Sequence, residues 1–251
     1  GTFYPADSTE LTEMVQSYIG ETEDSGPVPK AIIAPHAGYI YSGPVAASAY
    51  RRLRPAHDRI TRVVLLGPSH HVPLRGLAIC RAEQFATPLG LIPIDSPAIE
   101  LISHLPQVVL LDQAHTLEHS LEVHLPFLQT VLDHFTLVPL VVGDASPEEI
   151  DEVLEQLWGG AETLIVVSSD LSHYHGYDVA LKMDRMTSRA IEGLHIEDIG
   201  YDQACGRVPI CGLLRTIARY GLHGKTIDLR NSGDTAGPRD RVVGYGAYVF
   251  N

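Results

Sequence analysis

Leu164-Ile165-Val166-Val167-Ser168-Ser169-Asp170-Leu171-Ser172-His173 is the stretch from which the rest of the chain can be read. Four consecutive apolar residues without alternation fit a strand buried on both faces, the kind that helices cover in α/β proteins. The run then passes without a spacer into Ser, Asp and His. The same pattern recurs at Ala34-Pro35-His36, Gly67-Pro68-Ser69-His70-His71 and Val142-Gly143-Asp144. In open α/β sheets the crevice for ligands lies outside the carboxyl ends of the strands. Parallel strands here would bring His36, His70, His71, Asp170 and His173 to one edge. A lone histidine after a strand is more often a loop or capping residue; four such strand ends argue for a shared site.

Working outward, 30–34, 63–67, 76–80, 108–111, 137–142, 164–168 and 242–250 read as strands. Asp7 and Glu10 have capping-box spacing and open a helix over 8–19. Further helical patterns cover 45–53, 96–104, 147–157, 178–193 and 209–220. Another covers 118–133, which Pro126 should kink or divide. Residues 20–29, acidic and rich in Pro and Gly, read as a linker. The expected fold class is α/β: a single domain over 1–251, its central parallel or mixed sheet covered by helices on both faces. No internal repeat or low-complexity tract interrupts it.

The composition agrees. The 251 residues are 45% hydrophobic and 20% charged, which are globular values. No window approaches the roughly 18 apolar residues of a membrane helix. A net charge of −13 repels phosphate backbones and argues against a nucleic-acid partner; it suits a small cationic or neutral substrate. Three cysteines without a disulfide spacing point to a reducing, cytoplasmic setting. No basic segment leads into an apolar one at Gly1, so no signal peptide is expected. Thirteen histidines are the functional hint, since imidazole is the commonest metal ligand.

Two histidines and one anionic ligand on one side of a metal, with positions left open, is the donor set of non-haem iron oxygenases. His36 and His70 are the natural pair, and Asp170, Glu122 and Cys205 are alternatives for the anion. His173 is a candidate general base; an N-cap is the weaker, structural reading of Asp170. Glu118-His119-Ser120-Leu121-Glu122-Val123-His124 lacks the His-Glu-x-x-His order of zinc proteases and reads as a cleft-lining segment that orients ligands. Cys205, before a helix start and beside Arg207, reads as a favoured thiolate. Cys80 and Cys211 lie in apolar surroundings. Serine-hydrolase and Walker signatures are missing.

These stretches also carry a resemblance. Ile33-Ala34-Pro35-His36-Ala37-Gly38-Tyr39, Leu66-Gly67-Pro68-Ser69-His70-His71-Val72-Pro73-Leu74, Glu118-His119-Ser120-Leu121-Glu122-Val123-His124-Leu125-Pro126, Ser168-Ser169-Asp170 and Cys205-Gly206-Arg207 look like the Memo family. Its bacterial and archaeal members are often labelled AmmeMemoRadiSam system protein B. The resemblance runs from about residue 3 to 250. It implies a fold similar to class III extradiol dioxygenases, which use Fe(II) to cleave catechol rings. It also implies metal ligation by His36, His70 and Cys205, with His173 at the position of the dioxygenase base and Asp170 in the cleft. His71, His119, Glu122, His124, Tyr39 and Arg207 would complete the surroundings. Where the dioxygenases have a carboxylate, this chain has Cys205, a softer donor that favours copper or a redox role. The family label suggests a radical-SAM protein and an AMMECR-type domain protein as partners.

The leading expectation is therefore a redox or dioxygenase-like protein dependent on Fe(II) or copper, acting on a small molecule or peptide. A zinc hydrolase with Glu122 as base is a weaker reading. From a different class, a non-enzymatic adaptor would hold a peptide or partner in the same cleft through Tyr39, Tyr41 and Tyr174.

Overall fold

The computed structural model describes residues 1–20 and 26–251; residues 21–25 of the expected linker lie outside them. Eleven strands and nine α-helices follow in chain order among the described residues. They are α1 (Ser8–Gly20), β1 (Ala31–Ala34), α2 (Tyr39–Tyr50), β2 (Arg62–Pro68), β3 (Leu77–Ile79), β4 (Gln84–Thr87), β5 (Gly90–Pro93), α3 (Ser96–Ile102), β6 (Val108–Leu110), α4 (Gln113–Thr116), α5 (His119–Glu122) and α6 (Leu125–Val131). Then come β7 (Thr136–Val142), α7 (Pro147–Leu157), β8 (Thr163–Ser168), β9 (His173–His175), α8 (Tyr177–Gly193), α9 (Arg207–Arg219), β10 (Gly224–Asn231) and β11 (Val242–Phe250).

The main sheet runs β10-β11-β1-β8-β2-β7-β3-β6, with β9 added to β11. Its centre, β1-β8-β2-β7, is parallel throughout. The register aligns Ala34 with Ser168 and Pro68 with Val142. All four polar strand ends therefore reach the same edge. The flanks are antiparallel where β11 meets β1 and β10, and where β3 meets β7.

Side chains alternate between two cores, which is why these strands read as continuous apolar runs. Ile32, Val63, Leu65, Leu164 and Val166 face α1, α2 and α6. Ile33, Val64, Leu66, Ile165 and Val167 face α7 and α9. Each such side chain contributes on the order of 2 kcal/mol by leaving water. The sheet is mixed and helix-covered on both faces, as the sequence implies.

The stretch 118–133 is divided, one of the two outcomes expected of Pro126: Val123 and His124 separate α5 from α6, and Pro126 sits in the first turn of α6, where its missing N–H costs nothing. Other segments differ from the sequence reading. Helix α2 begins six residues earlier than expected and carries Pro44 within it. The β4–β5 hairpin, β9 and β10 are additions.

Candidate metal centre

Strand β8, in the middle of the parallel set, supplies the frame of the site. The Oγ of Ser168 lies 2.6 Å from Nδ1 of His36. The Asp170 carboxylate accepts the His36 amide at 2.8 Å. On the other side the Asp170 amide donates to Cys205 Sγ at 3.3 Å, while the Cys205 amide returns a bond to the Asp170 carbonyl. The Gly206 amide donates to Ser169 Oγ at 2.9 Å. Gly206 must be glycine here, because a Cβ would stand 2.4 Å from the Ser168 carbonyl. Ser168, the last residue of β8, and the two residues after it thus grip both the end of β1 and the start of α9. His36 Nε2 faces Cys205 Sγ at 3.3 Å.

His70, at the end of β2, is held by Glu118 instead. Nδ1 of His70 donates to one carboxylate oxygen at 2.8 Å and its backbone amide donates to the other at 2.6 Å. Ser120 adds a third donor. Burial of Glu118 would raise its carboxyl, but these bonds outweigh it and hold the group at about 2. An ionised partner on Nδ1 leaves Nε2 of His70 with its lone pair free. Burial, followed by the neighbouring histidines, keeps His36 neutral well below its usual range.

One donor atom each from His36, His70 and Cys205 lies within 4.8 Å of the others. His36 is buried, Cys205 is intermediate and His70 is open to solvent, so the cluster has an accessible side. Neutral imidazoles with engaged Nδ1 atoms and one sulfur suit iron, copper or zinc, and not magnesium or calcium. Burial and the nearby Asp170 carboxylate push the Cys205 thiol up to about 12. A cation on the sulfur would be needed to draw off that proton. This corrects the expectation of an Arg207-favoured thiolate: the Arg207 guanidinium bonds the Ile199 carbonyl and lies over the Tyr201 ring.

His119 is placed beside the cluster, stacked on His70 at 4.7 Å between ring centroids and on Phe3 at 4.3 Å. A second donor group, His70 with Glu118 and His119, overlaps the first. His71 stands exposed at the rim, its ring 6.2 Å from that of His119. His173 donates from Nδ1 to the Leu171 carbonyl at 2.8 Å, and among the described residues Nε2 has no hydrogen-bond partner. Asp170 caps no helix. It pins the His36 backbone.

Three expected residues stand elsewhere. Glu122 accepts the Tyr4 hydroxyl at 2.6 Å and belongs to neither donor group. His124 is buried against Tyr50, and burial holds it near 3. Tyr39 is 2% exposed, packs on Tyr4 and Phe127, and donates to the Val123 carbonyl, so it is core and not cleft lining. The segment 118–124 does orient a ligand, as its reading implies, but through Glu118, whose pairing with His70 crosses 48 positions and was not singled out. Ser168 and Phe3 were missed as supports.

Fold and donor set together define a mixed α/β protein with a two-histidine, one-cysteine cluster at its strand ends. The profile of the family described as "Memo-like protein" matches residues 1–249. A MEMO1 family protein of Aquifex aeolicus is 34% identical, with the alignment covering 100% of this chain and 96% of that protein. One from Ignicoccus hospitalis is 36% identical over the same shares, and one from Metallosphaera sedula is 33% identical over 100% and 97%. The chain belongs to the Memo family. The crystal structure of an uncharacterized protein from Escherichia coli K12 superposes with a TM-score of 0.55 at 14% identity, over 87% of this chain and 98% of that one. That likeness is one of fold. No helix among the described residues is long and apolar enough to cross a membrane.

Proposed function

We propose that this chain is a metal-dependent redox protein that holds one iron or copper ion on His36, His70 and Cys205. The observation that carries the reading is the approach of three donor atoms to within 4.8 Å of one another, with both Nδ1 atoms turned outward to Ser168 and Glu118. Bound there, the metal would supply one-electron or oxygen chemistry, the thiolate biasing the site towards redox work. Glu118 fixes the His70 ring through Nδ1. Asp170 fixes the His36 backbone. His173, its Nδ1 committed to the Leu171 carbonyl, keeps Nε2 for the substrate and serves as the base. The open side next to His70 admits a small molecule. The adaptor reading loses support, since Tyr39, one of its three aromatics, is buried.

The test is anaerobic purification without a polyhistidine tag, followed by measurement of iron, copper and zinc. Wild type is expected to carry or take up about one redox metal per chain, and His36→Ala, His70→Ala and Cys205→Ala each to lose it. Stoichiometric binding retained in the triple alanine variant would sink the proposal.

A further inference from the structure

Val142-Gly143-Asp144, the one of the four strand ends that neither ligates nor braces the metal cluster, borders a cavity of about 350 Å³. That is the lower range for small-molecule sites. The cavity lies between the end of β7, the loop after β2 and the start of α9. Its walls are largely apolar, with Val72, Leu74, Val142, Val208 and Pro209 among them. Cys205 forms part of the same wall, whereas His36 and His70 do not. Cys205 therefore borders both the two imidazoles and this chamber.

The chamber's shape is fixed by its backbone. The Gly143 amide donates to Gly76 and the Asp144 amide to Leu74, with Arg75 and Asp144 forming a parallel bridge. A Cβ on Gly143 would stand 2.2 Å from the Leu74 carbonyl. Asp144 is the only charged side chain on the lining. Among the described residues its carboxylate has no hydrogen bond or ion pair. Arg75, whose guanidinium feels the Asp144 charge, is tied to Glu149 by two bonds of 2.7 and 2.8 Å and hydrogen-bonds Asp144 only at its backbone carbonyl. A water-facing carboxylate at the mouth of an apolar cavity selects a cation with an apolar body.

We infer that this chamber is a binding site for a small amine. The ammonium pairs with Asp144, and the apolar body lies along Val72 and Val208 with its far end at the Cys205 sulfur. The inference rests on the metal reading for its link to chemistry and on the cavity alone for binding. A ligand seated this way approaches a metal from the thiolate side, and leaves the open side next to His70 for a second reactant.

Benzylamine, benzyl alcohol and benzoate are the probes, titrated calorimetrically into the full chain. Protection of Cys205 from N-ethylmaleimide is read in parallel by peptide mapping. Benzylamine is expected to bind and to slow Cys205 alkylation about tenfold, benzyl alcohol to bind less tightly, and benzoate not at all. Asp144→Asn is expected to bring benzylamine down to the level of benzyl alcohol. Val208→Trp fills the chamber and is expected to abolish both, its folding checked by thermal midpoint. Equal binding of benzoate, unchanged binding in Asp144→Asn, or protection at Cys80 alone would overturn the inference. Because these readouts need no metal, the two readings fail separately: loss of metal binding with the benzylamine pattern intact removes the metal reading and keeps the chamber. The reverse removes the chamber alone.

Discussion

At the scale of single residues, the ligands depend on groups that are not ligands. Glu118→Gln keeps one acceptor but removes the charge that fixes His70, so metal affinity is expected to fall about tenfold or more. Glu122→Gln touches only the Tyr4 bond and is expected to leave affinity unchanged; metal titration of both variants separates the two carboxylates. Asp184 offers a test of electrostatics. It is 2% exposed and accepts the Ser172 amide, and burial pushes its carboxyl up to about 6 against the pull of His173 and His175. A carboxyl raised in the folded state stabilises while protonated. The contribution is complete below the ordinary value of 3.8 and lost as pH rises through about 6. Asp184→Asn is therefore expected to raise the thermal midpoint by about 2–4 °C near pH 8, and by nothing near pH 4. His36, His70 and Cys205 were legible because each follows an apolar run or opens a helix. Their supports were legible only in part: the segment holding Glu118 read as one that orients ligands, but that Glu118 meets His70, and Ser168 meets His36, only the folded arrangement reveals.

At the scale of elements, patterning named the strands that two cores bury and missed those that water touches. β2, β7 and β8 are buried along nearly their whole length. β10 is an edge strand whose Lys225, Asp228 and Arg230 break the apolar signal. β9 has three residues, too few for any period, and is made by pairing with β11. Where elements meet, polar clamps matter. Lys30, just before β1, donates from Nζ to the carbonyls of Trp158, Gly160 and Thr163, joining the exit of α7 to the entry of β8. Lys30→Met keeps the stem but leaves those carbonyls short of a charged donor, and should cost about 2 kcal/mol in urea unfolding. Ser146→Ala removes one arm of the capping box on α7 and should cost about 1 kcal/mol by the same measurement.

At the scale of the whole molecule, the donor atoms of His36 and Cys205 come from positions 169 apart, and they meet only when the sheet is complete. A metal that binds the folded chain alone stabilises it by mass action. The thermal midpoint is expected to rise with added Fe(II) or Cu(I), to return on chelation, and to stay flat in His36→Ala. The pairing of β1 has a further consequence, for biosynthesis. One neighbour of β1 is β8 and the other is β11, with Ala31 opposite Phe250. While the ribosome still shields the segment 242–250, β1 presents an unpaired edge of Ala and Ile to its surroundings. Translation must therefore pass residue 250 before the nascent chain can cover β1, and a message cut short before that point leaves a sticky fragment rather than a smaller working protein.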